Sequence, residues 1–303
     1  MNTRSQHINP ESTLAEIVEN PAFDGSGELL LPWYARREDL STPFRAVDAY
    51  FPYHSAFNTK SMLDALNRLI DDHAAGGQVF YPIYSEEEMR ADPSKHMTGL
   101  FFFRGQADAP FAIISPGGGF TYVGSLHESL PHANELCRRG YNAFSLAYRA
   151  GSGNLAVQDL AAALAFVFDH AAELKVSTQG YSLWGSSAGA RMASAVGTYG
   201  TAAFGFEALP QPAAIIMAYT GQSNYTAYDP PTFSVVGDRD GIAPTRVMKR
   251  RVEQLRAAGV PALIEIFPDV GHGFGLGIGT AAEGWIDDAI AFWEEQRNER
   301  NRS

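Results

Sequence analysis

The chain has 303 residues, of which 45% are hydrophobic, and it carries a formal net charge of −11 at pH 7. Its length suits one large α/β domain or two smaller ones, and its acidity argues against nucleic-acid binding, which needs clustered Lys and Arg. No apolar stretch approaches the roughly 20 residues that span a bilayer, so we expect no membrane partner. Residues 1–10 lack the apolar core of a secretory signal, and the single cysteine, Cys137, suits a cytoplasmic protein.

Residues 1–98 are richer in proline and in scattered aromatic residues than the rest of the chain. The aromatic residues are Trp33, Tyr34, Phe44, Tyr50, Phe51, Tyr53 and Phe57. An amphipathic helix is predicted over residues 60–75, because apolar side chains recur there at helical spacing. The segment is too apolar for a disordered tail. We therefore expect an N-terminal extension, residues 1–98, that packs on the main domain formed by residues 99–303, with both parts in one domain overall.

From about residue 99 onward, apolar strand-like runs alternate with helical stretches. The predicted strands cover residues 100–103, 111–114, 142–148, 181–184, 214–219, 232–236 and 262–267. The predicted helices cover residues 125–139, 155–174, 191–196, 245–258 and 283–296. This alternation predicts an α/β fold with a mostly parallel central sheet and helices on both faces. In such a sheet, ligand-binding groups gather at the carboxyl ends of the strands.

A G-x-S-x-G pentapeptide, Gly185 to Gly189, directly follows the strand predicted at residues 181–184. A serine hydroxyl becomes an effective nucleophile when it stands clear of the backbone on a sharp turn, within reach of a base. Flanking glycines remove the side chains that would crowd such a turn, and the helix that follows aims free N–H groups at developing negative charge. Ser187 is therefore the candidate nucleophile, although small-residue runs also occur at ordinary strand–helix junctions.

A base and an orienting acid have candidates in loops that follow later strands. His272 lies among glycines just after the strand predicted to end at residue 267, whereas the other seven histidines lack such a setting. Asp240 and its rival Asp238 follow the strand predicted at residues 232–236, and Asp240 is the preferred acid. Loop histidines and turn aspartates also bond their own backbone, so each residue alone would be a weak signal.

A glycine loop at residues 117–119 follows the strand predicted at residues 111–114 and is the candidate oxyanion hole, together with the Ala188 N–H. Each such donor contributes about 3 kcal/mol to transition-state stabilisation. A phosphate-binding loop is disfavoured, because the next glycine, Gly124, breaks the G-x-G-x-x-G spacing and no Gly-Lys-Ser/Thr follows. A zinc site at His127 and His132 is disfavoured too, because their spacing is not the i, i+4 of one helix face.

The order along the chain is glycine loop, serine, aspartate and histidine, which is the order in α/β-hydrolases. Over about residues 98–296 the chain resembles that superfamily, and within it the esterase/lipase branch with hormone-sensitive-lipase-like and acetyl-esterase members. The landmarks are the PGGGF loop (residues 116–120), GYNAF with YR (140–144 and 148–149), the serine elbow, GDRD (237–240) and GHGF (271–274).

The resemblance implies a role for each matching residue. Ser187 would be the nucleophile, Asp240 the acid and His272 the base, and the backbone N–H groups of Gly118, Gly119 and Ala188 would form the oxyanion hole. Many members of the branch have histidine where this chain has Pro116. That variant is similar to a subset of acetyl-xylan-esterase-like and feruloyl-esterase-like members, and it leaves the substrate open.

Residues 220–231 are too few for the helical cap domain that many relatives insert between the strands at 214–219 and 232–236. We expect part of residues 20–60 to take the place of that cap and to cover the Ser187 pocket as a lid. Trp33, Tyr34, Phe51 or Tyr53 would then lie near the substrate. The alternative is that these aromatic residues only fill the gap against the sheet. Candidate pocket residues flank the catalytic loops: Phe120, Tyr122, Gln222, Asn224, Tyr225 and Phe274. Glu128 is predicted to start or cap a helix, with a pocket role as the alternative.

The predicted function is hydrolysis of a short-chain carboxylic ester through an acyl-enzyme, with no metal or organic cofactor. An acetylated carbohydrate is the preferred small-molecule substrate by analogy with the family. The same triad would also serve an amidase, formamidase or peptidase, and a non-catalytic binding protein on the same fold is the alternative of a different class. The sequence leaves open whether the chain forms a homo-oligomer.

Overall fold

The fold is built on one twisted sheet of eight strands, in a computed structural model that describes residues 6–32, 37–300 and 302. The strands are β1 (Phe80–Tyr81), β2 (Gly99–Phe103), β3 (Pro110–Ser115), β4 (Asn142–Ala147), β5 (Ser177–Ser186), β6 (Ala214–Ala218), β7 (Thr232–Gly237) and β8 (Ala262–Phe267). Their order across the sheet is β1-β2-β4-β3-β5-β6-β7-β8. From β4 to β8 all neighbours are parallel, while β1 and β2 add an antiparallel edge. The predicted mostly parallel sheet is confirmed.

Helices cover both faces of the sheet, as predicted. They are α1 (Leu14–Val18), α2 (Thr59–Ala74), α3 (Glu86–Ala91), α4 (Ser129–Arg138), α5 (Gly153–Asp169), α6 (Ala171–Leu174), α7 (Ala188–Tyr199), α8 (Thr245–Ala257) and α9 (Trp285–Arg300). Short 3₁₀ turns cover Pro21–Phe23, Gly27–Leu30, Arg37–Ser41, Phe44–Tyr50, Pro93–Met97 and Thr201–Phe204. The core on one face includes side chains of α5 and α7, and the core on the other includes side chains of α2, α4 and α9. Strands buried on both faces carry continuous apolar runs, which is why they could be recognised from the sequence.

The single helix predicted over residues 155–174 is wrong, because the structure has two helices that meet at His170. His170 leaves helical geometry with φ −106° and ψ 12°. Its ring Nδ1 lies 2.9 Å from the carbonyl oxygen of Phe166, which also accepts the His170 backbone N–H. A side chain that binds a carbonyl of the previous turn competes with the backbone pattern and favours a helix end.

The N-terminal extension packs on the sheet and shares its core, as expected. The predicted helix over residues 60–75 is α2, which Asn58 caps by accepting the N–H of Ser61 at 2.8 Å. Its buried side chains join one continuous cluster with Phe101 of β2 and Leu130 of α4. Two residues of the predicted lid, Trp33 and Tyr34, lie outside the described residues.

The connection from β6 to β7, residues 219–231, contains neither helix nor strand, so no cap is inserted there, as predicted. The N-terminal extension instead contacts the loops that follow β3 and β8. Within residues 6–32, 37–300 and 302, no helix combines the length and apolar character needed to cross a membrane.

Candidate active site

Ser187 occupies a sharp turn between the last residue of β5 and the first residue of α7. Its backbone has φ 50° and ψ −109°, a conformation that costs a non-glycine residue about 1–3 kcal/mol. A Cβ on Gly185 would lie 2.2 Å from the Gly189 carbonyl oxygen, and one on Gly189 would lie 1.9 Å from the Ser115 carbonyl oxygen. Both glycines are therefore required for the backbone to approach this closely, as the sequence predicted. The Ser187 N–H donates to the Ala218 carbonyl at 2.8 Å and ties the turn to β6.

Ser187, His272 and Asp240 form a continuous hydrogen-bonded chain. His272 Nε2 lies 3.0 Å from Ser187 Oγ, and His272 Nδ1 lies 2.7 Å from Asp240 Oδ2. The other oxygen of Asp240 accepts the N–H groups of Ile242 and Ala243 at 2.8 and 2.7 Å. Because a carboxylate only accepts, His272 Nδ1 carries the proton and Nε2 of the neutral ring is left to accept from Ser187. This is the arrangement that a serine–histidine–aspartate triad requires.

The structure separates the two aspartates that the sequence left as rivals. The side chain of Asp240 is fully buried against His272. Asp238 points elsewhere: its side chain is 45% exposed, and its Oδ1 accepts the N–H of Asp269 at 2.7 Å. Only Asp240 of this pair therefore contacts the imidazole.

The glycine loop after β3 passes close to the serine elbow, since a Cβ on Gly117 would lie 3.0 Å from the Ser187 Cβ. Gly118 and Gly119 have φ 122° and 63°, and a Cβ on Gly118 would lie 2.2 Å from the Tyr122 carbonyl oxygen. Within the described ranges the N–H groups of both glycines have no acceptor, and Ala188, as the first residue of α7, has no intrahelical acceptor for its N–H. Three free donors from these residues are thus available near Ser187.

The six predicted pocket residues divide into two groups. Phe120, Gln222, Asn224 and Tyr225 line one cavity of about 280 Å³, together with Arg191 one helical turn after Ser187. Tyr122 and Phe274 do not line it, because both are buried. Tyr122 stacks on Tyr53 and lies with its hydroxyl 2.8 Å from His54 Nδ1, and Phe274 packs on Tyr219 and Trp285.

Residues 51–57 of the N-terminal extension contact both the glycine loop and the loop that carries His272. The sequence did not specify these contacts. Ser55 donates its hydroxyl to the His272 carbonyl at 2.7 Å and its N–H to the Gly273 carbonyl at 3.0 Å. The Tyr53 ring lies 3.3 Å from the position of a Cβ on Gly119. Phe51 is buried beneath them and packs edge-on against Tyr122. No local pattern could have indicated these contacts, which join residues up to 217 positions apart.

Glu128 lies in the N-cap position of α4, as predicted, but its side chain caps no helical N–H. It is fully buried and accepts from the Gly117 N–H, from the Tyr219 hydroxyl at 2.8 Å and from His54 Nε2 at 3.1 Å. Burial alone would raise the pKa of Glu128. The charge and hydrogen bond of His54, with the Gly117 N–H, outweigh burial and lower that pKa to about 2. Glu128 is therefore a charged carboxylate in the interior.

Two further histidines, His127 and His132, are buried near this carboxylate. Burial, with a smaller effect of His54, lowers the pKa of His127 to about 3, and burial also lowers the pKa of His132. His127 Nε2 lies 2.9 Å from the Gly273 carbonyl oxygen, so it donates to the loop that carries His272. Both rings are therefore neutral structural groups. Among the described residues, no group of three His, Cys, Asp or Glu side chains is arranged to hold a metal ion.

Comparison with known proteins agrees with this fold. The model of the BD-FAE family matches residues 104–224, which include the glycine loop and the serine elbow but not Asp240 or His272. No curated protein matched the sequence.

Three solved structures illustrate the structural likeness. An acetyl ester-xyloside bifunctional hydrolase from Caldicellulosiruptor lactoaceticus is 23% identical, with a TM-score of 0.63 over 71% of this chain and 95% of its own. A propionate-bound thermophilic esterase from Thermogutta terrifontis is 20% identical, with a TM-score of 0.59 over 65% of this chain and 89% of its own. MGS-M1, an α/β hydrolase enzyme from a Medee basin deep-sea metagenome library, is 21% identical, with a TM-score of 0.58 over 66% and 93%.

Sheet order, serine elbow and these likenesses together define an α/β-hydrolase fold. The chain has the fold of the α/β-hydrolases, as its sequence motifs suggested, and residues 104–224 match the BD-FAE family model.

Proposed function

We propose that the protein is a serine esterase that hydrolyses short-chain carboxylic esters through an acyl-enzyme on Ser187. The observation that carries this proposal is the hydrogen-bonded chain from Ser187 through His272 to Asp240. Near this chain are the N–H groups of Gly118, Gly119 and Ala188, from which no described residue accepts a hydrogen bond. A nucleophile, a base, an orienting acid and an oxyanion hole are the four parts that acyl transfer needs.

The reaction follows from these positions. His272 Nε2 takes the hydroxyl proton as Ser187 Oγ attacks the ester carbonyl, and Asp240 stabilises the imidazolium that forms. The carbonyl oxygen becomes an oxyanion, which the N–H groups of Gly118, Gly119 and Ala188 bind at the positive end of α7. His272 then gives its proton to the leaving alcohol. A water molecule, deprotonated by His272, attacks the acyl-enzyme and releases the acid.

A small acyl group on a carbohydrate is the preferred substrate. The cavity beside the oxyanion loop, of about 280 Å³, combines the aromatic rings of Phe120 and Tyr225 with the amides of Gln222 and Asn224. Aromatic faces and amide groups suit a polyhydroxylated ring better than a long acyl chain. The names of two similar structures, an acetyl ester-xyloside hydrolase and a propionate-bound esterase, point the same way.

The N-terminal extension is proposed as part of this site. Tyr53 is 40% exposed and lies against Gly119, so it stands at the entrance to the oxyanion loop, where a lid residue would be. The free, buried Cys137 suits the reducing cytoplasm, where we place the enzyme.

The test is a series of p-nitrophenyl esters of increasing acyl length, with Ser187→Ala as the control. We expect the highest kcat/KM on acetate or propionate and a loss of at least about 10⁴-fold in the variant. An organophosphate should label wild type and not the variant. Full activity in Ser187→Ala, or no activity of wild type on any chain length, would refute the proposal. Faster cleavage of a matched acetanilide than of the phenyl ester would assign the site to an amidase instead.

A further inference from the structure

We propose that Glu128, paired with His54 of the N-terminal extension, is a positioning residue that sets the geometry of the oxyanion loop. This inference rests on the proposed ester hydrolysis at Ser187. Glu128 contacts none of the reacting atoms. It would act through Gly117, which directly precedes the two glycines whose N–H groups are proposed to bind the oxyanion.

The carboxylate binds the oxyanion loop at the point where the loop passes the nucleophile. Its Oε2 accepts the Gly117 N–H, and a Cβ on Gly117 would lie 3.1 Å from the same oxygen and 3.0 Å from Ser187 Cβ. From the opposite side, the Tyr148 hydroxyl donates to the Pro116 carbonyl at 3.0 Å. The peptide plane between Pro116 and Gly117 is therefore held at both its N–H and its C=O. That plane sets the direction in which the following N–H groups point.

The same carboxylate also supports the loop that carries the base. Its Oε1 accepts the hydroxyl of Tyr219, whose ring lies 5.2 Å from the ring of His272. Tyr219 is fully buried and has φ 37°, a strained conformation for a non-glycine residue. Its hydroxyl also accepts the N–H of Gly275 at 3.3 Å. One carboxylate thus connects the oxyanion loop to the His272 loop.

His54 completes the set of donors. Its Nε2 lies 3.1 Å from Glu128 Oε1, and its Nδ1 lies 2.8 Å from the Tyr122 hydroxyl. Because a carboxylate can only accept, the Nε2 atom of His54 carries a proton. The side chains of His54 and Glu128 are 2% and 0% exposed, so water cannot replace either partner.

A stabilising role alone does not explain a charge in this place. Replacing a buried ion pair by apolar side chains of similar volume is often neutral or even stabilising. What apolar side chains cannot do is accept three converging hydrogen bonds and so orient a glycine peptide. Preorganised N–H groups stabilise the oxyanion more than they stabilise the ground-state carbonyl. Loss of their alignment should therefore lower kcat with little change in KM.

The experiment compares Glu128→Gln with Glu135→Gln. Gln keeps the shape of Glu128 but removes its charge and places an N–H₂ group where a hydrogen-bond acceptor is needed. Glu135 lies on the same helix and pairs with Arg139 near the surface, so its variant is the matched control. Three quantities are measured in each protein: kcat, KM, and the inhibition constant of a trifluoromethyl ketone. Ser187 converts that ketone to a hemiketal oxyanion.

For Glu128→Gln we expect kcat to fall about 100-fold, KM to change less than about threefold and ketone affinity to fall about 100-fold. A variant that merely contained less folded protein would lose kcat but keep the inhibition constant. Unchanged kcat and ketone affinity in Glu128→Gln, with wild type active, would overturn this inference and leave the proposed function intact. Inactive wild type would instead refute the proposed function.

If Glu128→Gln does not fold, His54→Ala decides in its place. It removes the paired donor while keeping the carboxylate. We expect it to lower kcat and ketone affinity together by about tenfold, which corresponds to about 1.4 kcal/mol, because one hydrogen bond to the carboxylate is lost. A folded His54→Ala protein with wild-type kcat and ketone affinity would overturn the proposal.

Discussion

Two regions of the molecule meet at the candidate site, and they are built in different ways. On one side are the ends of β3, β5 and β7 and the loop after β8, each carrying one predicted site element. On the other side is the segment from Phe51 to Phe57, which contains no strand or α-helix and is held by contacts between side chains and distant backbone. The sheet carries the groups that we propose to be reactive, while the extension supplies contacts to the loops that hold them. Each region can be disrupted separately.

The largest effect is expected on the sheet side, at the paired aspartates. Asp240→Asn should lower kcat by about 10⁴-fold, because the amide can hold the wrong tautomer of His272 and leave Nε2 protonated toward Ser187. Asp238 is the first residue after the same strand, and its carboxylate accepts from the Asp269 N–H instead of from His272, so Asp238→Asn is the matched control. The measurement is kcat on the preferred p-nitrophenyl ester. Equal losses in both variants would contradict the assignment of Asp240.

The next effect is on stability and lies in the extension. Phe51→Ala removes a fully buried ring that packs on His54, Phe57 and Tyr122, so the free energy of unfolding should fall by about 3–5 kcal/mol. Tyr53→Ala, two residues further on, removes a ring that is 40% exposed and should cost less than Phe51→Ala. Urea unfolding followed by tryptophan fluorescence compares the two proteins.

The same Tyr53→Ala protein tests the lid. If Tyr53 covers the entrance, its loss changes the relative KM values across the acyl series. An unchanged profile would indicate that these aromatic residues only pack against the sheet.

The stability test has its own contradicting outcome. A Phe51→Ala protein as stable as wild type would contradict the view that residues 1–98 share a core with residues 99–303.

The smallest effect is the change in the free energy of unfolding for each unit of pH. The pKa of His127 falls from an ordinary 6.5 to about 3 on folding, and that of His132 is also lowered, so below pH 6.5 the unfolded chain binds protons that the folded chain does not. Stability is therefore lost as pH falls from 6.5, by about 1.4 kcal/mol per pH unit for His127, and His132 contributes in the same direction. The pKa of Glu128 falls from 4.5 to about 2, so its contribution is present above pH 4.5 and is lost between 4.5 and 2.

Thermal melts between pH 7.5 and 4 check this expectation. In His127→Gln the slope of stability against pH should be smaller by the share of one group, because the amide can still donate to the Gly273 carbonyl but does not titrate in this range. An identical slope in the variant and wild type would show that His127 is not the group responsible.

The strands and the site residues at their ends could be predicted, because they depend on sequence patterns within short stretches of the chain. A run of apolar residues predicts a strand, and the parallel order places Ser187, Asp240 and His272 at the same edge. Side-chain direction was less predictable: Tyr122 and Phe274 flank catalytic loops in sequence, but both point into the core. The three partners of Glu128 lie on three separate segments, so no spacing along the chain could indicate them. β1 was missed because it has only two residues.

The hydrogen bonds from Ser55 to the His272 loop bear on how this protein should be cloned. The BD-FAE match begins at residue 104, and a gene trimmed to that boundary would lack both His54 and Ser55. An insert that begins at residue 104 and runs to residue 303 would then be expected to score as inactive in a screen, although every side chain of the proposed triad is encoded. Split-reporter designs could exploit the same dependence, with residues 1–58 added as a separate peptide that restores turnover.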